Sequence, residues 1–300
     1  PTLLNWGEHE WAQDWGDYLI EIQSESGAWM DANGDAPYTF DTGQILKGLL
    51  ALFPYKPEYQ VAIEKGVEWI LAQQQPNAEI TTPDTTYWQL PGKYSVPQAI
   101  HLYCLSPILE AAELFNRPEW VLAVQRSKDY YLTQKNILEW ETLSHFHAYI
   151  MEALLDLNEM ELAKKGMGVI AKAQRKSGWV PAYPNATWPC IPALFQYAKV
   201  WYRLGEHQRA NRMMNYAIKQ QNSSGGFYGS KGLFSSYFKR AEVSWAVKYF
   251  WDSFSEKLRS DFDQSSAQFP DYIEYLLIGI LKTITTLIWL YVVSKILVMS

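Results

Sequence analysis

The sequence predicts an all-α fold in which helical hairpins stand in two concentric rings, an α/α toroid, and three observations predict it. The first is a recurring sentence of sequence: a helix ends in glutamine, a glycine follows four residues on, and an aromatic residue and a loop lead into a more apolar helix. Gln23-Ser-Glu-Ser-Gly27-Ala-Trp29 is one copy and Gln221 to Phe227 another, while Gln73-Gln-Gln75, Gln134 and Gln174 end further helices. The period is irregular, roughly 40 to 60 residues, as in an array of hairpins. The second is alternation: the helices are by turns charged and apolar, which an outer ring around an inner ring requires. A hairpin with one apolar face cannot bury it alone, so neighbours stack. The third is an aromatic share of 15%, enough to put flat rings in loops and clefts as well as in the core.

Taken in order, the first helix spans about residues 8–23, with Trp11, Trp15, Leu19 and Ile22 on one face. Gly27 supplies the left-handed turn that stops it and Trp29 anchors the loop. The second helix begins at Asp41, an N-cap with Gln44 in capping-box position, and ends before Pro54. Pro57 opens the third, which runs to Gln75. A long polar loop, residues 77–96, carries Trp88 and Tyr94. The fourth, residues 97–115, is expected to kink at Pro107. The fifth follows Pro118 to Gln134, and the sixth, residues 142–157, holds His145 and His147 in its first turn. The seventh spans residues 160–175. A rigid aromatic loop from Ser177 to Pro189 precedes the eighth. The ninth covers residues 206–221, and a glycine-rich loop reaches Tyr237 and Glu242 before the tenth. That makes five hairpins, a toroid of about five to six.

Residues 1–258 are read as the toroid, 259–271 as a linker and 272–300 as a hydrophobic helix. From Leu276 to Val293 there are eighteen residues with one charge, Lys282, enough for a membrane anchor. An in-plane helix, or one packed on a further domain, stays open beside it. Localisation is accordingly cytoplasmic or membrane-associated, the side undetermined. The net charge is −6 with no basic run, so nucleic acid is excluded as a partner. Cys104 and Cys190 carry no metal-ligand spacing, and no metal or cofactor is called for.

The Gln-x-x-x-Gly-x-Trp copies resemble the Gln-Trp repeats of terpenoid cyclases, in which the repeat ties the end of an outer helix to the next inner helix. No Asp-x-Asp-Asp motif accompanies them. Tyr38-Thr-Phe-Asp41-Thr-Gly-Gln-Ile-Leu and Gly178-Trp-Val-Pro-Ala-Tyr-Pro-Asn more closely resemble the α/α toroids of six-hairpin glycosidases and of toroid proteins from bacterial polysaccharide gene clusters, over about residues 6–254. The resemblance implies a carbohydrate-active protein, a hydrolase first and a uronate lyase or epimerase next, with an oligo- or polysaccharide as partner. A module that binds a glycan or polyprenyl-linked glycan without cleaving it is the alternative, and a terpenoid-processing enzyme the third.

In such toroids the cleft forms where loops lead into the inner helices. There, glycosidic cleavage requires two carboxylates, one as general acid and one as nucleophile or base. Asp41 and Glu242 are the expected pair if the ring brings the first and last repeats together, with Asp35 as substitute. His145 is a candidate base. His147 points about 200° away from it on a helix, which argues against a shared metal. Trp29, Tyr38, Gln44, Trp88, Gln98, His101, His147, Trp179, Tyr183, Trp188, Tyr228, Lys239, Arg240 and Trp245 are the candidate sugar-binding residues, with Lys239 and Arg240 suited to a uronate carboxylate. Glu139, Glu141 and Tyr237 stand at the same loop ends.

Overall fold

A computed structural model describes residues 1–30, 34, 36–83, 98–134 and 136–266. Asp35, Trp88, Tyr94 and the hydrophobic stretch 272–300 lie outside the described residues, as does the side chain of Gln98. Among the described residues the chain is helical, and no helix is long and apolar enough to cross a membrane.

The helices are α1 (Thr2–Asn5), α2 (His9–Glu21), α3 (Thr39–Leu52), α4 (Gln60–Ala72), α5 (Leu105–Leu114), α6 (Pro118–Thr133), α7 (Ser144–Asp156), α8 (Met160–Ala173), α9 (Ile191–Arg203), α10 (His207–Ile218) and α11 (Ser244–Ser266). Three-residue and seven-residue 3-10 turns, Pro57–Tyr59 and Gln98–Cys104, precede α4 and α5. One compact unit covers Pro1–Ser255; a second begins at Glu256, where Lys257 pairs with Asp261 and Arg259 with Glu256.

Within the first unit the fold is an α/α toroid. The inner helices α3, α5, α7 and α9 pack side by side in chain order, and α2, α4, α6, α8 and α10 cover them from outside. Burial follows the two rings. Nearly every residue of α7 and α9 is buried, because these helices have neighbours on all sides, whereas α8 and α10 bury one narrow stripe each.

The recurring glutamine has a defined task. Gln23 Nε2 donates to the Gly27 carbonyl at 2.8 Å and to the Ala62 carbonyl at 2.9 Å. Gln174 Nε2 does the same to Gly178 at 3.0 Å and Arg209 at 3.1 Å. Ala62 and Arg209 lie on α4 and α10, so the amide ties each outer helix to the next outer helix, not to the next inner one. The aromatic residue makes the inner tie: the Trp29 backbone N–H donates to Thr42 Oγ1 on α3 at 3.1 Å, and its indole N–H to the Leu19 carbonyl at 2.7 Å. The glycine is required because the next outer helix is so close. Gly27 has φ 94°, and a Cβ there would stand 2.5 Å from the Lys65 carbonyl oxygen.

Five hairpins close into a ring because α1 occupies the gap. Trp6 packs edge-on to Trp251, centroids 4.6 Å apart, and stacks on Phe254 at 5.8 Å. Thr2 Oγ1 donates to Asp252 Oδ1 of α11 at 2.7 Å. Between the inner helices lies a chain of ion pairs: Lys47 to Asp156 at 2.7 Å, Arg203 to Asp156 at 2.7 Å, Lys199 to Glu152 at 2.6 Å, Lys199 to Asp252 at 3.4 Å and Lys248 to Asp252 at 2.9 Å. On α7, α9 and α11 the charges come four residues apart, Glu152 and Asp156, Lys199 and Arg203, Lys248 and Asp252, which puts each pair on one face of its helix. Burial alone would raise the Asp156 carboxyl. Lys47 and Arg203 outweigh burial and hold it at about 2.

Several sequence expectations shift. The second helix starts at Thr39 with Tyr38 as cap residue, so Asp41 sits inside the first turn. The expected kink at Pro107 is instead a change of helix type at Cys104: a 3-10 turn precedes α5, and Pro107 falls in the first turn, where its missing N–H costs nothing. On α2 the apolar stripe, Leu19 apart, faces outward. Ala12 and Gly16 are its buried residues, and a Cβ at Gly16 would meet Leu52 and Tyr59 at 2.6–2.7 Å.

Candidate functional site

Loops leading into α7, α9 and α11 meet at one end of the inner ring and enclose a cavity of about 580 Å³. It is lined by Glu141 ahead of α7, by residues Tyr183 to Trp188 ahead of α9, and by Phe234 and Ser236 ahead of α11. The local sequence explains the rigidity of these walls. Pro181, Pro184 and Pro189 fix the backbone of the middle loop. The Ala182 N–H bonds the Trp188 carbonyl at 2.8 Å, and Ser144 N–H bonds the Ala182 carbonyl at 2.7 Å, joining this loop to α7. Tyr183 and Trp188 meet edge to face at 5.9 Å, each under a tenth exposed. On the third wall the Ser235 hydroxyl donates to the Gly232 carbonyl at 2.8 Å, and Lys239 Nζ to the Leu233 carbonyl at 2.6 Å.

From this wall the ring interior is reached through Tyr237 and His145, whose centroids are 6.1 Å apart. His145 also packs on Tyr149 at 4.7 Å and Tyr249 at 5.9 Å, and its Nδ1 pairs with Gln196 Oε1. Only 3% of it is exposed, and burial drops its pKa to about 3, with Gln196 acting weakly in the other direction. Burial likewise pushes the Tyr237 hydroxyl far above its ordinary value. His145 is therefore neutral at pH 7 but a weak base, and it packs behind the cavity instead of lining it. Gln44 of α3 reaches Tyr149 Oη from across the ring at 3.3 Å.

Neither carboxylate of the expected pair lines this cavity. Glu242 is exposed two residues ahead of α11, and its Oε1 accepts from Asn222 Nδ2 at 2.9 Å and from the Ser224 hydroxyl. It braces the loop that follows α10, with Gly226 against it. Asp41 is partly buried in the first turn of α3, close enough to Cys104 for its charge to be felt there. The cavity's carboxylate is Glu141. Its signal was legible, one residue beyond Trp140 at the third loop end, but nothing in the sequence ranked it above Glu139 or Glu242.

The remaining candidates divide. Tyr183 and Trp188 line the cavity. Tyr38 is buried at the cap of α3, its N–H bonded to the Trp29 carbonyl at 3.1 Å. Trp29 is 1% exposed and belongs to the core, held there by its two hydrogen bonds. Trp179 is turned to the outer ring, against Tyr216 at 6.3 Å and under Arg175 at 5.8 Å, and does not line the cavity. His101 is fully buried, its Nε2 bonded to Thr82 Oγ1 at 3.0 Å. His147 faces α9, Nδ1 on Tyr197 Oη at 3.0 Å, and burial lowers its pKa to about 4. Trp245 packs on Phe238 at 5.3 Å, behind the third wall. Tyr228 pairs its backbone with Glu242, and Lys239 and Arg240 are exposed on the same loop. Among the described residues no cluster of His, Cys, Asp or Glu could hold a metal ion.

No family model matches the chain, and no curated protein matches it. Solved structures do. An α-amylase from Clostridium perfringens is 13% identical with a TM-score of 0.64, over 85% of this chain and 83% of that one. An unsaturated glucuronyl hydrolase specific for heparin is 14% identical with a TM-score of 0.62, over 85% and 83%. A polysaccharide lyase is 10% identical with a TM-score of 0.58, over 84% of each. At these identities the likeness is one of fold, the α/α toroid of glycosidase-like proteins.

Proposed function

We propose that the protein is a carbohydrate-active enzyme that hydrolyses a glycosidic bond of an oligosaccharide held in the loop-end cavity. The observation that carries the reading is the cavity itself: about 580 Å³, walled by Tyr183, Trp188 and Phe234, with the Glu141 carboxylate among them. Aromatic walls accept the apolar faces of sugar rings, and a carboxylate beside them serves as acid or base at the glycosidic oxygen or at water. The second carboxylate assigned to the reaction is Asp41, in the first turn of α3 at the same end of the inner ring. The folds named as hydrolases and as a lyase support the substrate class. Hydrolysis is preferred to elimination because His145, the expected base, does not line the cavity and burial leaves it a weak base, its pKa near 3.

The test is incubation with neutral and acidic oligosaccharides in heavy water, read by mass. Products summing to substrate plus water are expected, and Glu141→Gln should abolish them while leaving the melting temperature within a few degrees. Products summing to the bare substrate would make the enzyme a lyase. Undiminished turnover in Glu141→Gln would remove that residue from the reaction.

A further inference from the structure

Helix α2 turns a row of large apolar side chains outward. Trp11, Trp15, Tyr18 and Ile22 are 59, 56, 49 and 44% exposed, while Ala12 and Gly16 on the opposite face are buried. Single exposed apolar residues are ordinary; four in register are not. Their separations of four, three and four are those of a coiled-coil seam, so the side chains form one continuous ridge. Trp15 and Tyr18 already meet edge to face at 5.9 Å. The ring does not require them there, because α2 seats on it through Gly16, against Leu52 and Tyr59.

The charge that α2 itself carries beside the ridge is of one sign. Glu10, Asp14, Asp17 and Glu21 alternate with the apolar residues, and the first Lys or Arg of the chain is Lys47. Asp17 is engaged by Tyr59 Oη at 2.6 Å and Lys56 at 3.0 Å. Glu10, Asp14 and Glu21 make no ion pair with any described residue. Like charges would oppose an anionic bilayer, and equally a second copy presenting the same ridge.

We infer that the ridge is a docking seam for a cationic amphipathic helix of another protein, whose apolar stripe covers Trp11, Trp15, Tyr18 and Ile22 and whose flanking Lys and Arg meet the carboxylates. From Trp11 to Ile22 the seam is roughly 17 Å long, so about three turns of partner helix cover it. An interface of that size belongs to the weak, transient class. The binding is independent of what the loop-end cavity does.

The test uses the full chain and a labelled peptide of about 18 residues, long enough for helix formation, with Leu at the seam positions and Lys beside them. A scrambled peptide of identical composition and a Glu-flanked twin are the controls, and fluorescence anisotropy is the readout. The Leu/Lys helix should bind with an affinity that falls with added salt, and both controls at least about tenfold more weakly. Trp11→Ser and Trp15→Ser should each weaken it about tenfold or more without moving the melting temperature. Asp14→Lys with Glu21→Lys should transfer binding to the Glu-flanked twin. Equal binding of all three peptides, or unchanged binding by Trp15→Ser, overturns the inference. So does a Trp15-dependent dimer in ultracentrifugation, which would assign the ridge to a second copy, or Trp15-dependent pelleting with phosphatidylglycerol vesicles, which would assign it to lipid.

Discussion

Replacing Lys199 by Met tests whether the axial charges hold the ring together. Lys199 joins Glu152 on α7, at 2.6 Å, to Asp252 on α11, at 3.4 Å. The two carboxylates are unequally exposed to its loss. Asp252 keeps Lys248 at 2.9 Å and the Thr2 hydroxyl at 2.7 Å. Glu152, only 2% exposed, keeps the Tyr103 hydroxyl at 3.3 Å as its hydrogen-bond donor. Nearly all the damage therefore falls on one buried carboxylate that has lost its ion-pair partner and keeps only the longer-range charges of Lys248 and Lys47, which costs up to about 3–5 kcal/mol. For a chain of this size that lowers the melting temperature by roughly 6–20 °C. The deficit should depend on pH with a defined sign. Lys199 is the largest of the charges that hold the Glu152 carboxyl down against burial, so its loss shifts that carboxyl upward, protonation relieves the stranded charge, and the gap to the parent protein should narrow from pH 7 towards pH 4. Glu152→Leu combined with Lys199→Met should recover most of the loss, because an apolar pair has no charge to strand. Urea unfolding of the three proteins at several pH values is the assay. A Lys199→Met protein within about 1 kcal/mol of the parent, or a double variant worse than the single, would refute the reasoning.

The remaining expectations are briefer. Asp156, near 3.8 when free and near 2 in the fold, contributes stability that is present above pH 4 and lost as pH falls towards 2, worth about 2 kcal/mol. Acid unfolding of Asp156→Asn should lack that increment; a profile identical to the parent's would contradict it. Gly178→Ala should be far more damaging than Gly225→Ala. Both glycines have positive φ, 109° and 89°, but a Cβ at Gly178 would lie 2.1 Å from the Arg212 carbonyl and one at Gly225 meets nothing within 4 Å. About 1 kcal/mol is expected at Gly225 and several at Gly178, and equal melting temperatures would show that the outer helices are not held this closely.

Much of the scaffold was readable from residue order. Gln23, Gly27 and Trp29 announced a hairpin array because one short-range bond, Gln23 Nε2 to the Gly27 carbonyl four residues on, is local and recurs. The alternation of charged and apolar helices announced two rings, since burial on one face or on all faces leaves a different composition. The site was less readable. Glu242, Trp29 and His145 are polar or aromatic residues at the right loop ends, yet their partners Asn222, Thr42 and Gln196 are 20, 13 and 51 positions away and claim them for structure. Glu141 looked like any loop-end acid until loops from three hairpins walled it in.

Sequence periodicity by itself determined that there would be helices, which of them would be inner, and where the loops would cluster, because those features follow from local turns and from how much of each helix must leave water. Tertiary structure decided what no local pattern encodes. It decided that α1 closes five hairpins into a ring, that Lys47, Lys199, Arg203 and Lys248 pair with Glu152, Asp156 and Asp252 between the helices, and that α2 seats on Gly16 and leaves its tryptophans outside. Each depends on which side chains from distant hairpins arrive at one place, and a charge or an indole is stabilised in a fold only by the neighbours that meet it there.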